Sequence, residues 1–436
     1  MTAPRIPNPF SVPELKEKIL FTLLCLLVYR IGAHITVPGV NPQATIDFFR
    51  NQSGTLFGVY NLFVGGGLSR ATVFALGIMP YISASIFYQI MGAVFPTVER
   101  LQKEEEGRKK ITQWTRYLTI GLAFAQGWGV SLFLEQLQGA VATPGTGFRV
   151  LTTFFLTTGA VFIMWLGEQI TERGLGNGMS LLIFFSIIER VVPTLFQVPE
   201  YLRTGTLTLV RLLVFVIIML AVVWVTVAII IAARRIPIQI PRKVMGRGRI
   251  REGQKSFIPL RLLTANVMPI VFAQSIIIVP GTMAQFSNIS WLRDISDVFQ
   301  RGSATYYVTY TILIIFFTYF YTAIVFNPVD LSENLKKQGG FIPGVKPGQK
   351  TADYIDHVLS RVTLPGSLFL TAVAILPMIL LDYLKVPFPF GGTSLLIVVG
   401  VALDTVQQVQ QHMILRQYDS FMKQGRVRFR GRQRLM

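Results

Sequence analysis

The sequence predicts an all-α polytopic membrane protein with ten transmembrane helices, and three observations carry that reading. Of its 436 residues, 51% are hydrophobic and 14% charged, an apolar balance unusual for a water-soluble chain of this length. Ten apolar runs of about twenty residues recur along it, each long enough to cross a hydrocarbon core. Finally, 31 of its 41 Lys and Arg fall in alternate connections, on one side of the array. The positive-inside rule assigns that side, and both termini, to the cytoplasm, so the expected location is the cytoplasmic (inner) membrane.

The runs lie at about 19–36, 73–95, 117–135, 150–170, 178–198, 212–233, 262–286, 305–326, 362–381 and 391–411. The first is read as a span rather than a signal peptide, because its charged lead is long, no A-x-A site follows, and nine more runs do. Arg100, Lys103, Arg108, Lys109, Lys110 and Arg116 join the second run to the third, and Arg173 follows the fourth. Two connections, about 234–261 and 327–361, are far longer than the handful of residues that antiparallel helices need, so both are expected to protrude. A basic tail closes the chain, with Arg416, Lys423, Arg426, Arg428, Arg430, Arg432 and Arg434.

Within 234–261, nine cations face a single acid, Glu252, and glycines separate the arginines of MGRGRIREG as at a hairpin tip. Arg242, Lys243, Arg247, Arg249 and Arg251 there, with Lys336, Lys337 and Lys346 in the later loop, are candidate docking cations. Ribosomal RNA phosphates, an acidic patch on a cytosolic protein and lipid headgroups would each satisfy them.

Several chemistries find no support. One cysteine, Cys25, and three scattered histidines, His34, His357 and His412, offer no metal cluster. The nearest approach to a phosphate-cradling loop, Gly339 with Gly344, Val345 and Lys346, is broken by the inserted valine and by Pro347, so no cofactor is expected. Ionisable residues inside the spans are read as Arg30, His34, Glu168 and Asp404, which is thin for an ion-coupled carrier. Ser69 lacks an obvious base, which disfavours an intramembrane protease. The chain reads as a passive conduit worked by something docked on its long loops, with a secondary transporter for a small solute as the rival.

The stretch 36–73 contains YNLFVGGGLSRATVF, too short to span and broken by Gly65, Gly66 and Gly67. Irregular backbone at membrane depth survives only when buried in protein or lining an aqueous cavity, so this segment is either a plug or a hinged surface loop. Ile82 and Ile86 lie one turn apart on the next helix, as do Met179 and Ile183 on the fifth. Such pairs are ordinary core or lipid-facing residues, or part of an apolar ring that blocks ions by dewetting.

FALGIMPYISASI at 74–86, WLGEQITERGLGNGMS at 165–180, FNP at 326–328 with NLKKQGGFIPGVKPG at 334–348, and VPFPFGGTSLLIVV at 386–399 resemble the SecY family, channel subunits of the bacterial protein translocase. The likeness runs in order over essentially the whole chain. It implies two halves of five helices, 1–205 and 206–436, related by inverted pseudo-symmetry around a pore. It implies a pore ring of Ile82, Ile86, Met179, Ile183, Val271 and Ile397, with Met179 and Val271 departing from an isoleucine-dominated pattern. It implies a plug at about 57–71, including Leu62, Phe63, Gly65, Gly66, Gly67, Ser69 and Arg70. A lateral seam would open toward the lipid bilayer between the second and third helices and the seventh and eighth, where Gln89, Gln126, Asn266 and Gln274 could bridge it or simply glue helices. Unfolded preprotein would be the substrate, driven by the SecA motor or the ribosome, with SecE and usually SecG as helical partners. Lys346 stands where the family has a functional arginine, keeping the charge without the bidentate fork.

Overall fold

Helices occupy all ten predicted runs in the computed structural model, which describes residues 12–51, 56–205, 207–239, 243–245, 249–251, 255–263, 267–286, 303–384 and 392–432. Arg242, Arg247 and Asn266 lie outside the described residues, as do the side chains of Leu62, Lys243, Arg249 and Arg251. The first half contains α1 (Pro13–Gly32), α2 (Pro42–Asn51), α3 (Leu56–Phe63), α4 (Met79–Val94), α5 (Pro96–Lys103), α6 (Glu105–Gln136), α7 (Thr146–Arg173) and α8 (Gly178–Arg203). Then follow α9 (Leu209–Ile231), strands β1 (Ala233–Gln239), β2 (Lys243–Met245), β3 (Arg249–Arg251) and β4 (Lys255–Arg261), and α10 (Met268–Phe286). The chain continues with α11 (Ala304–Val325), α12 (Pro328–Lys337), α13 (Gln349–Leu384) and α14 (Gly392–Arg432).

By length and hydropathy alone, seven helices among the described residues could cross a membrane, or eight if α4 and α5 count as one span bent by 111°. Pro96, which has no backbone N–H to donate, opens α5 at that bend. Of the remaining predicted spans, α1 carries Glu14, Lys16, Glu17 and Lys18 in its first turns and Arg30 in its last, and α10 is a 19-residue helix without Asp, Glu, Lys or Arg. Among the described residues, one large apolar core runs through α1, α3, α4, α6, α7, α8, α10, α11, α13 and α14. The helices also expose large apolar side chains outward, Leu213, Ile217, Leu220 and Trp224 on α9 among them, as bilayer-facing surfaces do. The protein is an all-α polytopic membrane protein with a small β element in one loop.

Some boundaries differ from the sequence reading. The second span begins at Met79, because residues 72–78 form tight turns that include Gly77 at φ +56°. Both late helices overrun their apolar runs, with 36 residues in α13 and 41 in α14.

The two long loops fold together at their base. β1 pairs antiparallel with β4, from Ala233 opposite Arg261 to Gln239 opposite Lys255, and β2 pairs with β3. Ile236 and Ile238 alternate inward along β1, as the two-residue period of a strand dictates, and pack with Leu260, Leu335, Ile342 and Ile355. Gln239 and Phe341 exchange two backbone hydrogen bonds, of 2.9 and 3.0 Å, joining the hairpin to the loop before α13.

Candidate functional site

The start of α8 is set by Asn177, whose side-chain oxygen accepts from the Met179 and Ser180 amides at 3.1 and 3.3 Å. With that register fixed, Met179 and Ile183 point to the molecular interior. There they meet Ile82 of α4, Val271 of α10 and Ile397 of α14 around a cavity of about 200 Å³. Ile82, Ile183, Val271 and Ile397 are each at most 7% exposed. Ile86, 6% exposed, sits in the same core one turn along α4 without lining the cavity. Sequence reasoning did not single out the other walls: Tyr81, Ser85, Phe272, Tyr321 and Val401 complete much of the lining. The space is smaller than the roughly 300–1,000 Å³ of sites that enclose small organic ligands, so anything as wide as a polypeptide must push these side chains apart.

Beside this constriction lies the glycine-broken segment. Tyr60, Asn61, Phe63, Val64 and Leu68 are all buried, and α3 packs on α8 and α10, so the segment is enclosed by protein rather than draped on the surface. Tyr60 donates its hydroxyl to the Leu76 carbonyl at 3.2 Å, and Asn61 accepts from the Ser69 amide at 3.0 Å. Gly65 and Gly66 have positive φ, +65° and +82°, which glycine adopts without strain. Each also faces a wall: a Cβ on Gly65 would meet the Ser186 backbone at 3.3 Å, and one on Gly66 would meet the Arg190 guanidinium at 2.5 Å. The segment returns beside the end of α1 through the Thr36–Thr72 bridge, with the Val37 amide bonded to Ala71 and the Val73 amide to Ile35, both at 2.9 Å.

Charged residues around this segment correct the sequence reading of the spans. Glu189 and Arg190 lie inside α8, within the predicted fifth run, and were missed because the many apolar residues around them carry the hydropathy average over twenty residues. Glu189, with its side chain 6% exposed, pairs with Arg30 of α1 and lies 3.7 Å from Arg70. Arg190 donates to Ser69 Oγ at 3.3 Å, and Ser69 in turn donates to the Gly66 carbonyl at 2.9 Å. The residue that reaches Ser69 is thus an arginine, which is no general base. His34 lies 3.3 Å from Arg70. Glu168 pairs with Arg116 at 2.9 Å, tying α7 to α6.

Along the candidate seam, α10 packs against α4 and α6. Of the two roles open to the seam candidates, bridging hydrogen bonds are not made by those that are described. Gln89 borders the cavity and donates to Ser85 of its own helix at 3.1 Å, the nearest acceptor one turn away. Gln274 is 1% exposed, and its amide has no hydrogen-bond partner among the described residues; the buried Gln126 Oε1 has none there either. Two of the candidate docking cations, Lys336 and Lys337, close α12, where they offset the partial negative charge of the helix end, and Lys346 follows on the loop to α13. No group of three or more His, Cys, Asp or Glu side chains that could hold a metal ion occurs among the described residues.

A helical membrane protein that encloses an apolar constriction, with a short buried helix and its glycine-broken continuation packed against it, has the architecture of a gated channel. The comparisons narrow the class. The SecY family model matches residues 72–406. The protein translocase subunit SecY of Aquifex aeolicus is 41% identical over 95% of this chain and 98% of its own, and that of Escherichia coli K12 is 44% identical over 96% of each. The chain belongs to the SecY family. Its fold superposes on a solved protein-conducting channel with a TM-score of 0.65 at 16% identity, covering 94% of this chain and 97% of that one. A solved SecY whose plug domain is described as stabilising the closed state superposes with a TM-score of 0.63 at 17% identity over the same shares.

Proposed function

We propose that the chain is the protein-conducting channel subunit of a translocase in the cytoplasmic membrane, with both termini on the basic, cytoplasmic face. Unfolded polypeptide passes through the constriction formed by Ile82, Ile86, Met179, Ile183, Val271 and Ile397. Residues 57–71 act as the plug, and apolar segments leave sideways between α4 with α6 and α10 with α11. The observation that carries this reading is the convergence of five of those six apolar side chains on one narrow cavity. A collar without charges gives ions no compensation for their hydration shells, whereas it deforms around a chain that brings its own apolar surface.

The halves 1–205 and 206–436 would rock against each other as inverted repeats. SecA or the ribosome would dock on the basic loops and supply the work, Arg242, Lys243, Arg247, Arg249, Arg251, Lys336, Lys337 and Lys346 being the docking cations. SecE and usually SecG would complete the complex. Liposomes holding that complex should import an unfolded secretory precursor when given SecA and ATP. Uptake of a small solute without either, and no import of precursor, would instead identify a carrier.

A further inference from the structure

Met179, Ile183, Ser186 and Arg190 follow one another at spacings of four, three and four, so one stripe of α8 passes from the apolar constriction to a polar socket beneath it. The socket is shaped to the glycine-broken segment. Ser186 abuts Gly65 and accepts or donates one hydrogen bond with the Tyr29 hydroxyl at 2.7 Å, Arg190 abuts Gly66 and binds Ser69, and Glu189 faces Arg70.

We propose that Glu189 and Arg190 form an electrostatic latch that keeps the plug seated, positioning residues for the resting seal; this rests on the channel reading. Two features make the latch releasable. Glu189 has a second partner, Arg30 on α1, so the carboxylate keeps a counter-charge when the plug departs. Arg70, the plug-side partner, is 37% exposed and exchanges its ion pair for water on leaving. At the latch itself, the seated state (Arg30, Glu189 and Arg70 together) and the released state (Arg30 with Glu189) differ by one partly solvated ion pair and the Arg190–Ser69 bond. Interactions of this size shift a two-state equilibrium without freezing it. Removing the carboxylate has a stronger effect than removing Arg70, because Arg30, Arg70 and Arg190 are then left facing one another and repel the plug outward.

The test uses the full-length chain with its associated subunits in planar bilayers, reading resting ion conductance with no substrate. Glu189→Gln should raise it about tenfold and Arg70→Gln about threefold, and the double variant should leak no more than Glu189→Gln alone, the coupling expected of residues in one network. Arg70→Gln alters a partly exposed residue and serves if Glu189→Gln does not assemble. Wild-type conductance in both single variants, or leaks that multiply in the double variant, would overturn the latch. Precursor import in liposomes keeps the two proposals apart: a wild-type complex that imports precursor while both variants stay sealed removes the latch alone, whereas a wild-type complex that imports nothing removes the channel reading.

Discussion

Ile397 is 1% exposed and Ile82 is 7% exposed, and both border the same cavity. Replacing either with asparagine gives water and ions a foothold in the collar. Resting conductance in planar bilayers should rise several-fold for Ile82→Asn and Ile397→Asn, while the same change at lipid-facing Leu220, 64% exposed, should leave it unaltered. Equal conductance in all three would argue against the collar. The residues that converge here could be found in advance only in part. Pairs four apart on α4 and α8 drew attention to Ile82, Ile86, Met179 and Ile183, but nothing local ties Val271 and Ile397 to them; resemblance supplied that link. Glu189 and Arg190 were visible as two charges inside an apolar run, yet their meaning depends on a segment more than a hundred residues earlier. Gln89 shows the opposite limit: an amide in a span announces a hydrogen bond, but whether it reaches across a seam or back along its own helix depends on geometry that no spacing encodes.

At the level of elements, apolar runs located the helices well because the bilayer demands a fixed length of greasy side chain, and they located their ends poorly. α13 and α14 continue past the hydrocarbon thickness as ordinary polar helices, where hydropathy has nothing to detect. The hairpin was expected from the glycines of its tip, but its ladder from Ala233 to Gln239 was not, since those residues carry two arginines and a proline. What holds that ladder down is the apolar cluster at its base, and this gives a test. Ile238→Asp buries a charge among Leu260, Leu335 and Ile355 and should cost several kcal/mol locally. Limited proteolysis within 240–260 should accelerate markedly, with the tryptophan fluorescence of the spans unchanged. The charges at the hairpin tip make a separate prediction. Arg249→Gln with Arg251→Gln should weaken ribosome binding and flatten its salt dependence, by a slope of about 0.7–0.9 for each phosphate no longer neutralised if RNA is the partner. An unchanged slope would point to a protein or lipid surface instead.

For the whole molecule, α4 and α6 both pack against α10, and the described glutamines there make no cross-helix hydrogen bonds. A seam here, held by packing alone, would separate more readily than a hydrogen-bonded network. A short chemical bridge between Gln89→Cys and Met268→Cys, both at the cavity edge, should block entry of signal sequences as well as release of membrane segments, with reduction restoring both. If bridged complexes still insert membrane proteins, the exit lies elsewhere.

The bonds between Gln239 and Phe341 join two loops that the chain connects separately to α9, α10, α11 and α13. A weight resting on either loop is thus shared by all four helices, since α10 packs on α11, α9 on α13, and α11 on α13. Two visitors of very different shape, landing on different parts of this handle, would tilt the same rods. One lever can serve more than one hand.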